Sequence, residues 1–286
     1  MLGKIFIALC EVPGFKKVLW RTWYEYLAGS QRAPEWTFMN YGYAANDGEA
    51  LALKPGDERD RNSVQLYDHV AGAVDLKGQS VLEVGSGRCG GASFIKRYLH
   101  PARMVGVDLS RNAVRFSEAM HRVPGLEFRT GDAEHLPFNE GTFDAVVNVE
   151  SSHCYPSFEK FLSEVCRVLR SGGHFLYADF RSRTETDAWR SALRNSGLTV
   201  LRETDITPNI IAALEKDDDR KFDLIRRLIP RVLQPSFLDF AAVRGSTVFE
   251  AFRTGQLVYM SFDLTKPCDD GLSKSRRGGM LTGAGD

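Results

Sequence analysis

From residue 80 to residue 180 the chain repeats one pattern: a short apolar run, a break rich in Gly, Asp or Ser, and a longer stretch of mixed polarity. The runs are SVLEVG, MVGVDLS, LEFRTGD, FDAVVNV and HFLYADF, and LTVLRETDI and LVYMSFDLTK follow further on. Most are near-continuous in Val, Leu and Phe and do not alternate cleanly with polar residues, which marks strands buried on both faces. The spacing leaves room for crossover helices between them. The pattern therefore predicts an α/β fold, a seven-stranded, mostly parallel sheet with helices on both faces.

The flanks read differently. Residues 12–29, VPGFKKVLWRTWYEYLAG, carry Val18, Leu19, Trp23, Tyr26 and Leu27 at helical spacing, with Lys16, Lys17 and Arg21 on the other side. This predicts an amphipathic helix, packed on the main domain or serving as a lid or membrane-surface contact. Residues 36–62 mix aromatic residues with Gly, Pro and charges and predict an irregular lid segment. SVQLYDHVAGAVDL predicts a helix that ends near Lys77-Gly78. The charged helical stretch NIIAALEKDDDRKFDLIRRLIP, followed by FLDFAAV, predicts a helical cap over about 207–245, before the last strand. The expected organisation is thus an N-terminal region 1–62, a main domain 63–266 and a disordered tail 267–286 poor in large apolar residues.

Composition narrows the partners. Lysine plus arginine equals aspartate plus glutamate at 37 each, which gives no electrostatic footprint for nucleic acid. A small molecule or a lipid is the expected partner. Cys10, Cys89, Cys154, Cys166 and Cys268 form no CxxC pair, so they read as reduced cytosolic thiols and no metal site is expected. The opening apolar run is too short for a secretory core or a bilayer span. The expected location is cytoplasmic, with the N-terminal helix as the candidate for peripheral contact at the inner face of the membrane.

The segment VLEVGSGRCGGASF is the richest in chemistry. Gly85, Gly87 and Gly90 match GxGxxG directly after a strand and before a helix expected near Gly91. Such a loop lets a ligand approach the backbone, and it fits a dinucleotide or another adenosine ligand. Glu83, two residues before the first glycine, favours a cationic ligand over a pyrophosphate. Asp108 ends the second run, where a carboxylate accepts both ribose hydroxyl protons. Asp132 closes the third, where its carboxylate or the next backbone N–H reads an adenine edge.

In order, E-x-G-x-G, VGVDLS, GDAEHLPF, FDAVVNVES and VLRSGGHFLYAD resemble the motifs of the class I S-adenosylmethionine-dependent methyltransferases, whose fold is Rossmann-like. The resemblance implies that Glu83, Gly85 and Gly87 contact the methionine part of S-adenosyl-L-methionine, Asp108 the ribose, and Asp132 with Ala133 the adenine. Asn148 belongs to the same set of cofactor contacts.

Methyl transfer from a sulfonium is an in-line displacement, so the protein mainly aligns the reactants and excludes water. An alcohol acceptor also needs a general base. His153 follows the fourth strand and Asp179 ends the fifth, both at the carboxyl edge where open α/β sheets bind ligands. In small-molecule O-methyltransferases of this layout such a pair resembles a base and its orienting partner. His153 is therefore the expected general base and Asp179 its orienter or a second contact to the hydroxyl. Glu150 faces cofactor or substrate, and Cys154 and Tyr155 are expected to be pocket walls.

More closely, FMNYGYA, LYDHVAGAVDLKGQSVLEVGSGRCGGASF, NVESSHCYPSFEKFLSEVCRVLRSGG and YADFR resemble the phthiotriol/phenolphthiotriol dimycocerosates methyltransferase family of mycobacterial enzymes, from about Trp36 to Pro267. The likeness implies O-methylation of a long-chain lipid hydroxyl, hydroxy fatty acid or glycolipid intermediate in cell-envelope lipid biosynthesis. A fatty acid carboxylate methyltransferase and a non-catalytic cofactor-binding protein are the alternatives. A nicotinamide oxidoreductase is opposed by Glu83 and by the lack of Tyr-x-x-x-Lys, since Glu159 follows Tyr155 at that spacing. No GxSxG elbow supports a serine hydrolase.

Overall fold

The computed structural model describes residues 36–45, 51–231 and 233–268. The amphipathic helix predicted over 12–29 and nearly all of the predicted tail lie outside the described residues. Strands β1 (Ser80–Val84), β2 (Arg103–Asp108), β3 (Leu126–Thr130), β4 (Phe143–Val149), β5 (Leu169–Ser182), β6 (Thr199–Asp205) and β7 (Leu257–Thr265) form one seven-stranded sheet in the order β3-β2-β1-β4-β5-β7-β6. Neighbours from β3 to β5 are parallel, and β7 runs antiparallel to both β5 and β6. All of the predicted apolar runs are strands.

Helix α1 (Arg61–Ala71) precedes β1, α2 (Gly90–Phe94) follows the glycine loop and continues through a π-turn to Leu99, and α3 (Arg111–Met120) follows β2. Helices α4 (Phe158–Val168) and α5 (Thr186–Arg194) flank β5. Helices α6 (Thr207–Leu228), α7 (Gln234–Phe240) and α8 (Thr247–Arg253) stand between β6 and β7, where the sequence predicts a helical insertion.

The two-residue period of the strands builds two cores. Val81, Ala145, Val147, Leu176, Ala178 and Tyr259 face α1 and α2 on one side. Leu82, Val84, Val146, Phe175 and Tyr177 face α4 and α5 on the other. Consecutive residues of one strand thus serve opposite cores, which is why the runs lack alternation. A third cluster of Ile225, Ile229, Phe237 and Val243 belongs to the inserted helices, with Trp36 packed against it.

Helix α1 stops at Ala71, earlier than the predicted end near Lys77, with Gly72 as its C-cap making the last helical bond, N–H to the Asp68 carbonyl. Val74 and Leu76 still pack on the core, but from a turn. The run FLDFAAV contributes to the short helix α7.

Strand order reverses on either side of β1, which pairs with β2 and β4. Ligands of open α/β sheets bind outside the carboxyl ends of the strands at such a switch point. The site lies there.

Candidate active site

The glycine loop is held tightly against β2. Gly85 and Ser86 donate their N–H groups to the Val107 carbonyl at 2.8 and 3.0 Å, and Gly87 donates to Asp108 Oδ2 at 2.7 Å. Gly85 has a φ of 71°, and a Cβ there would collide with the Ser151 hydroxyl. Only glycine meets both conditions. At Gly91, inside α2, the obstacle is the Tyr67 ring from α1. The loop is therefore closed in from the β4 side and from α1, and Thr37 to Tyr41 cover it from above, with Phe38 and Met39 against Gly90 and Gly87.

These walls enclose a cavity. Gly85, Gly87, Asp108, Asp132, Ala133, Glu150 and His153 line it together with Tyr41, Phe180 and Phe240. Glu83 and Asn148 stand one layer behind the wall. Glu83 is 1% exposed and accepts from the Tyr67 hydroxyl at 2.6 Å on Oε1, while Oε2 has no protein partner. Burial is the largest influence on its carboxyl; opposed by the Tyr67 and Ala92 donors and aided by the Asp108 charge, it leaves Glu83 at about 8. Asn148, fully buried, donates to the Val84 carbonyl at 2.8 Å and to the Tyr155 hydroxyl at 3.1 Å, and its Oδ1 is also without a partner.

Asp108 turns both oxygens toward N–H groups, Oδ2 to Gly87 and Oδ1 to Ser110 at 2.8 Å. Asp132 Oδ1 accepts from the Glu134 N–H at 3.1 Å and its carbonyl from His135 at 2.9 Å, a local Asx turn that fixes the loop after β3.

Beside the glycine loop, where Ser151 meets Gly85, the loop after β4 makes one short turn, Ser152–Cys154. His153 Nδ1 lies 2.8 Å from Asp179 Oδ1, and the His153 backbone N–H donates to Oδ2 at 3.0 Å. Its ring packs on Phe180 at 4.4 Å between centroids. Asp179 is wholly buried yet well compensated: Ser152 Oγ donates at 2.6 Å, Phe180 N–H at 2.9 Å, and Arg181 Nη1 lies 3.2 Å away. Burial alone would raise its carboxyl, but the His153 and Arg181 charges hold it well below the usual carboxylate range. For His153, burial disfavours the charged ring, while Cys154, Asp179 and their hydrogen bonds outweigh burial and raise it to about 10.

Glu150, the residue after β4, has a φ of 51°, a strained conformation for a residue with a side chain. Its Oε2 accepts from the Tyr41 N–H at 2.9 Å and the Tyr259 hydroxyl at 3.1 Å, which ties the covering segment to β7 across the cavity. Burial is the main reason its carboxyl rises to about 8.

The residues that sequence reasoning did not single out are those that support the others. Tyr67 holds Glu83, and Ser152 stands under the cavity wall as a link between Asp179, the Tyr177 hydroxyl at 2.6 Å and Arg181 at 2.8 Å. Arg181 is itself sandwiched near Trp189 and Phe158. One signal for it is local: Asp179 and Arg181 are two apart on a strand and so share a face.

Asp108, Asp132, Glu134 and Glu150 bring carboxylates to the cavity wall, and one layer behind it Glu83 Oε2 and Asn148 Oδ1 are acceptors without protein partners. These acceptors fit a ligand bearing an ammonium, a sulfonium and ribose hydroxyls. A model of the methyltransferase domain matches residues 82–177. A phthiotriol/phenolphthiotriol dimycocerosates methyltransferase from Mycobacterium tuberculosis is 39% identical over 250 residues, 87% of this chain and 93% of that protein. A fatty-acid O-methyltransferase from Mycolicibacterium smegmatis is 38% identical over 86% of this chain and 89% of that protein. In fold, the geranyl diphosphate C-methyltransferase of Streptomyces coelicolor, solved with S-adenosyl-L-homocysteine, matches with a TM-score of 0.64 at 17% identity, over 89% of this chain and 99% of that chain.

Fold, cavity and relatives together define an S-adenosylmethionine-dependent methyltransferase with a Rossmann-like sheet. Within that class the chain belongs to the phthiotriol/phenolphthiotriol dimycocerosates methyltransferase family.

Proposed function

We propose that this enzyme is an O-methyltransferase whose acceptor is a hydroxyl of a long-chain lipid, a hydroxy fatty acid or a glycolipid intermediate of cell-envelope lipid synthesis. The observation that carries the reading is the His153 ring fixed by Asp179 on the wall of the cavity that the glycine loop also lines. The names of the relatives supply the lipid.

On this reading Asp108 holds the ribose hydroxyls of the cofactor, Asp132 and Ala133 border the adenine, and Gly85 and Gly87 allow close approach to the methionine part. Glu83 and Asn148 act from behind, through partnerless acceptor atoms that suit the cofactor's ammonium or an ordered water beside it. S-Adenosyl-L-methionine supplies the electrophilic methyl group. The chain's own residues do the rest. Asp179 accepts from Nδ1–H, so in the neutral ring Nε2 is the basic nitrogen and takes the acceptor's proton. Arg181 and Ser152 keep Asp179 ionised and fixed. Tyr41, Phe180 and Phe240 exclude water from the reacting oxygen.

A second reading, methyl ester formation on a fatty acid carboxylate, draws on the raised His153, since an imidazolium holds an anionic acceptor and a carboxylate needs no base. It also draws on the fatty-acid O-methyltransferase relative. Incubation with methyl-labelled cofactor and mycobacterial lipid extract separates the two. Label retained after alkali, as an ether, supports the first reading; label released by alkali, as a methyl ester, supports the second. No label in any lipid would sink both. The domain boundaries read from the sequence, and contact of the N-terminal helix with the inner membrane face, stand as parts of the same proposal. No helix among the described residues is long and apolar enough to cross a membrane.

A further inference from the structure

A second, smaller cavity lies between the covering segment and helices α6 and α7. Trp36, Phe38, Leu224, Ile225 and Phe240 give it hydrocarbon walls. It shares Phe38, Met39, Asn40, Tyr41 and Phe240 with the cofactor cavity, so only these side chains separate the two spaces. The charged groups on its border are partly engaged with one another, while Asn40 Oδ1 and Arg220 Nε have no protein partner. Arg220 pairs with Asp60 at 3.2 Å and Asp217 at 2.9 Å, and Lys221 Nζ lies 3.4 Å from the Tyr41 carbonyl.

An acceptor oxygen beside His153 has the glycine loop, and hence the cofactor, on one side. The rest of the acceptor must leave in another direction. Tyr41 and Phe240 border both His153's cavity and the second one, and Met39, an unbranched and adaptable side chain, stands between them. The aromatic and aliphatic side chains that wall this second cavity suit a saturated chain.

We propose that this second cavity receives the hydrocarbon chain of the acceptor, with Leu224 and Phe240 setting how much chain is accommodated. The inference rests on the reading of the acceptor as a long-chain lipid. It commits to an alkyl chain, whichever group the chain carries at its reactive end.

Trp36 makes the test direct, because it lines this cavity and bromine quenches indole fluorescence on contact. The full chain, saturated with S-adenosylhomocysteine, is titrated with an 18-carbon alcohol and an 18-carbon acid brominated at mid-chain. At least one should quench a component of the emission that is absent in Trp36→Phe. Leu224→Trp, which fills the space, should weaken that probe at least tenfold and leave the octyl analogue and S-adenosylhomocysteine affinity unchanged. Phe240→Ala should tighten or preserve binding of the long probe.

Quenching that persists in Trp36→Phe, or long-probe affinity unaltered in Leu224→Trp, would overturn the inference. Absence of binding by both probes, with cofactor affinity intact, would overturn it as well. The wider reading fails separately: a chain that binds as described while no lipid is ever methylated leaves the site standing and removes the O-methyltransferase.

Discussion

His153 and Asp179 meet twice, ring Nδ1 to Oδ1 at 2.8 Å and backbone N–H to Oδ2 at 3.0 Å, so one carboxylate fixes both the position and the tilt of the imidazole. The same carboxylate neutralises Arg181, whose side chain is largely buried beside it. Asp179→Asn should therefore cost more than orientation. It removes the negative partner of a largely buried guanidinium, a change of roughly 3 kcal/mol, and a thermal melt should fall by several degrees. Turnover should fall with it. A variant with wild-type melting would show that Arg181 finds its charge balance elsewhere.

The pH dependence of folding follows from groups that hold protons more tightly in the folded chain. Burial pushes Glu83 and Glu150 up to about 8, and His153 lies at about 10 against burial, owing to Cys154 and Asp179. Unfolded values are about 4.3 for Glu and about 6.5 for His. Each such contribution is complete below the unfolded value and is lost as pH rises through the folded one. Asp179 has the opposite sign: its stabilisation is present above about 3.9 and is lost only as pH falls through its depressed folded value. The cofactor-free protein should accordingly melt lower at pH 9 than at pH 6, and Glu83→Gln should flatten the slope. A melting temperature that rises over that interval would contradict the assignment.

Charge in the cavity gives a further test that needs no acceptor. His153 shares the cavity with the glycine loop, and a positively charged cofactor there disfavours the imidazolium. Calorimetry near pH 8 in buffers of different ionisation enthalpy should show protons released on binding S-adenosylmethionine and markedly fewer with uncharged-sulfur S-adenosylhomocysteine. The difference should vanish in His153→Gln. Equal release by both ligands would place the coupled group somewhere else.

Cofactor affinity should depend on Asp108 and Gly85 for separate reasons. Asp108→Ala removes a charged acceptor and leaves the Gly87 N–H without its partner, a loss of about 1.5–3 kcal/mol or roughly 10- to 150-fold in Kd for S-adenosylhomocysteine. Gly85→Ala would drive a methyl into Ser151 at a positive φ, and binding should be lost beyond measurement. A Kd within about twofold of wild type in either variant would remove that residue from the site.

What the linear pattern carried was the part of the molecule that depends on near neighbours. The inner strands β1, β2, β4, β5 and β7 announce themselves because both of their faces meet a core, while the edge strands β3 and β6 are more exposed and more polar, and the loop glycines show because Gly85 cannot carry a side chain. His153 and Asp179 are visible as strand-end residues once β4 and β5 are placed. The helix end at Ala71 was within reach, since Gly72 is a stop signal, but the apolar Val74 and Leu76 beyond it outweighed that signal in the pattern. Tyr67 was not legible, and the lid segment predicted over 36–62 carried no sign of which of its residues reach the glycine loop. Nothing near Tyr67 in sequence says that its ring lies on Gly91 or that its hydroxyl meets Glu83, and Phe38 and Met39 reach the glycine loop only through the tertiary fold. Glu83 illustrates the limit: its place on β1 could be read, its position behind the cavity wall could not.

The central claim is that the imidazole held by Asp179 takes the acceptor's proton, and the pH profile of single-turnover methyl transfer to a long-chain alcohol tests it. The account predicts a rate that climbs with pH to a plateau along one ionisation, and in His153→Ala a rate about two to four orders of magnitude lower with that ionisation gone and S-adenosylhomocysteine affinity near wild type. A His153→Ala rate within tenfold of wild type, on the same pH profile, would contradict it.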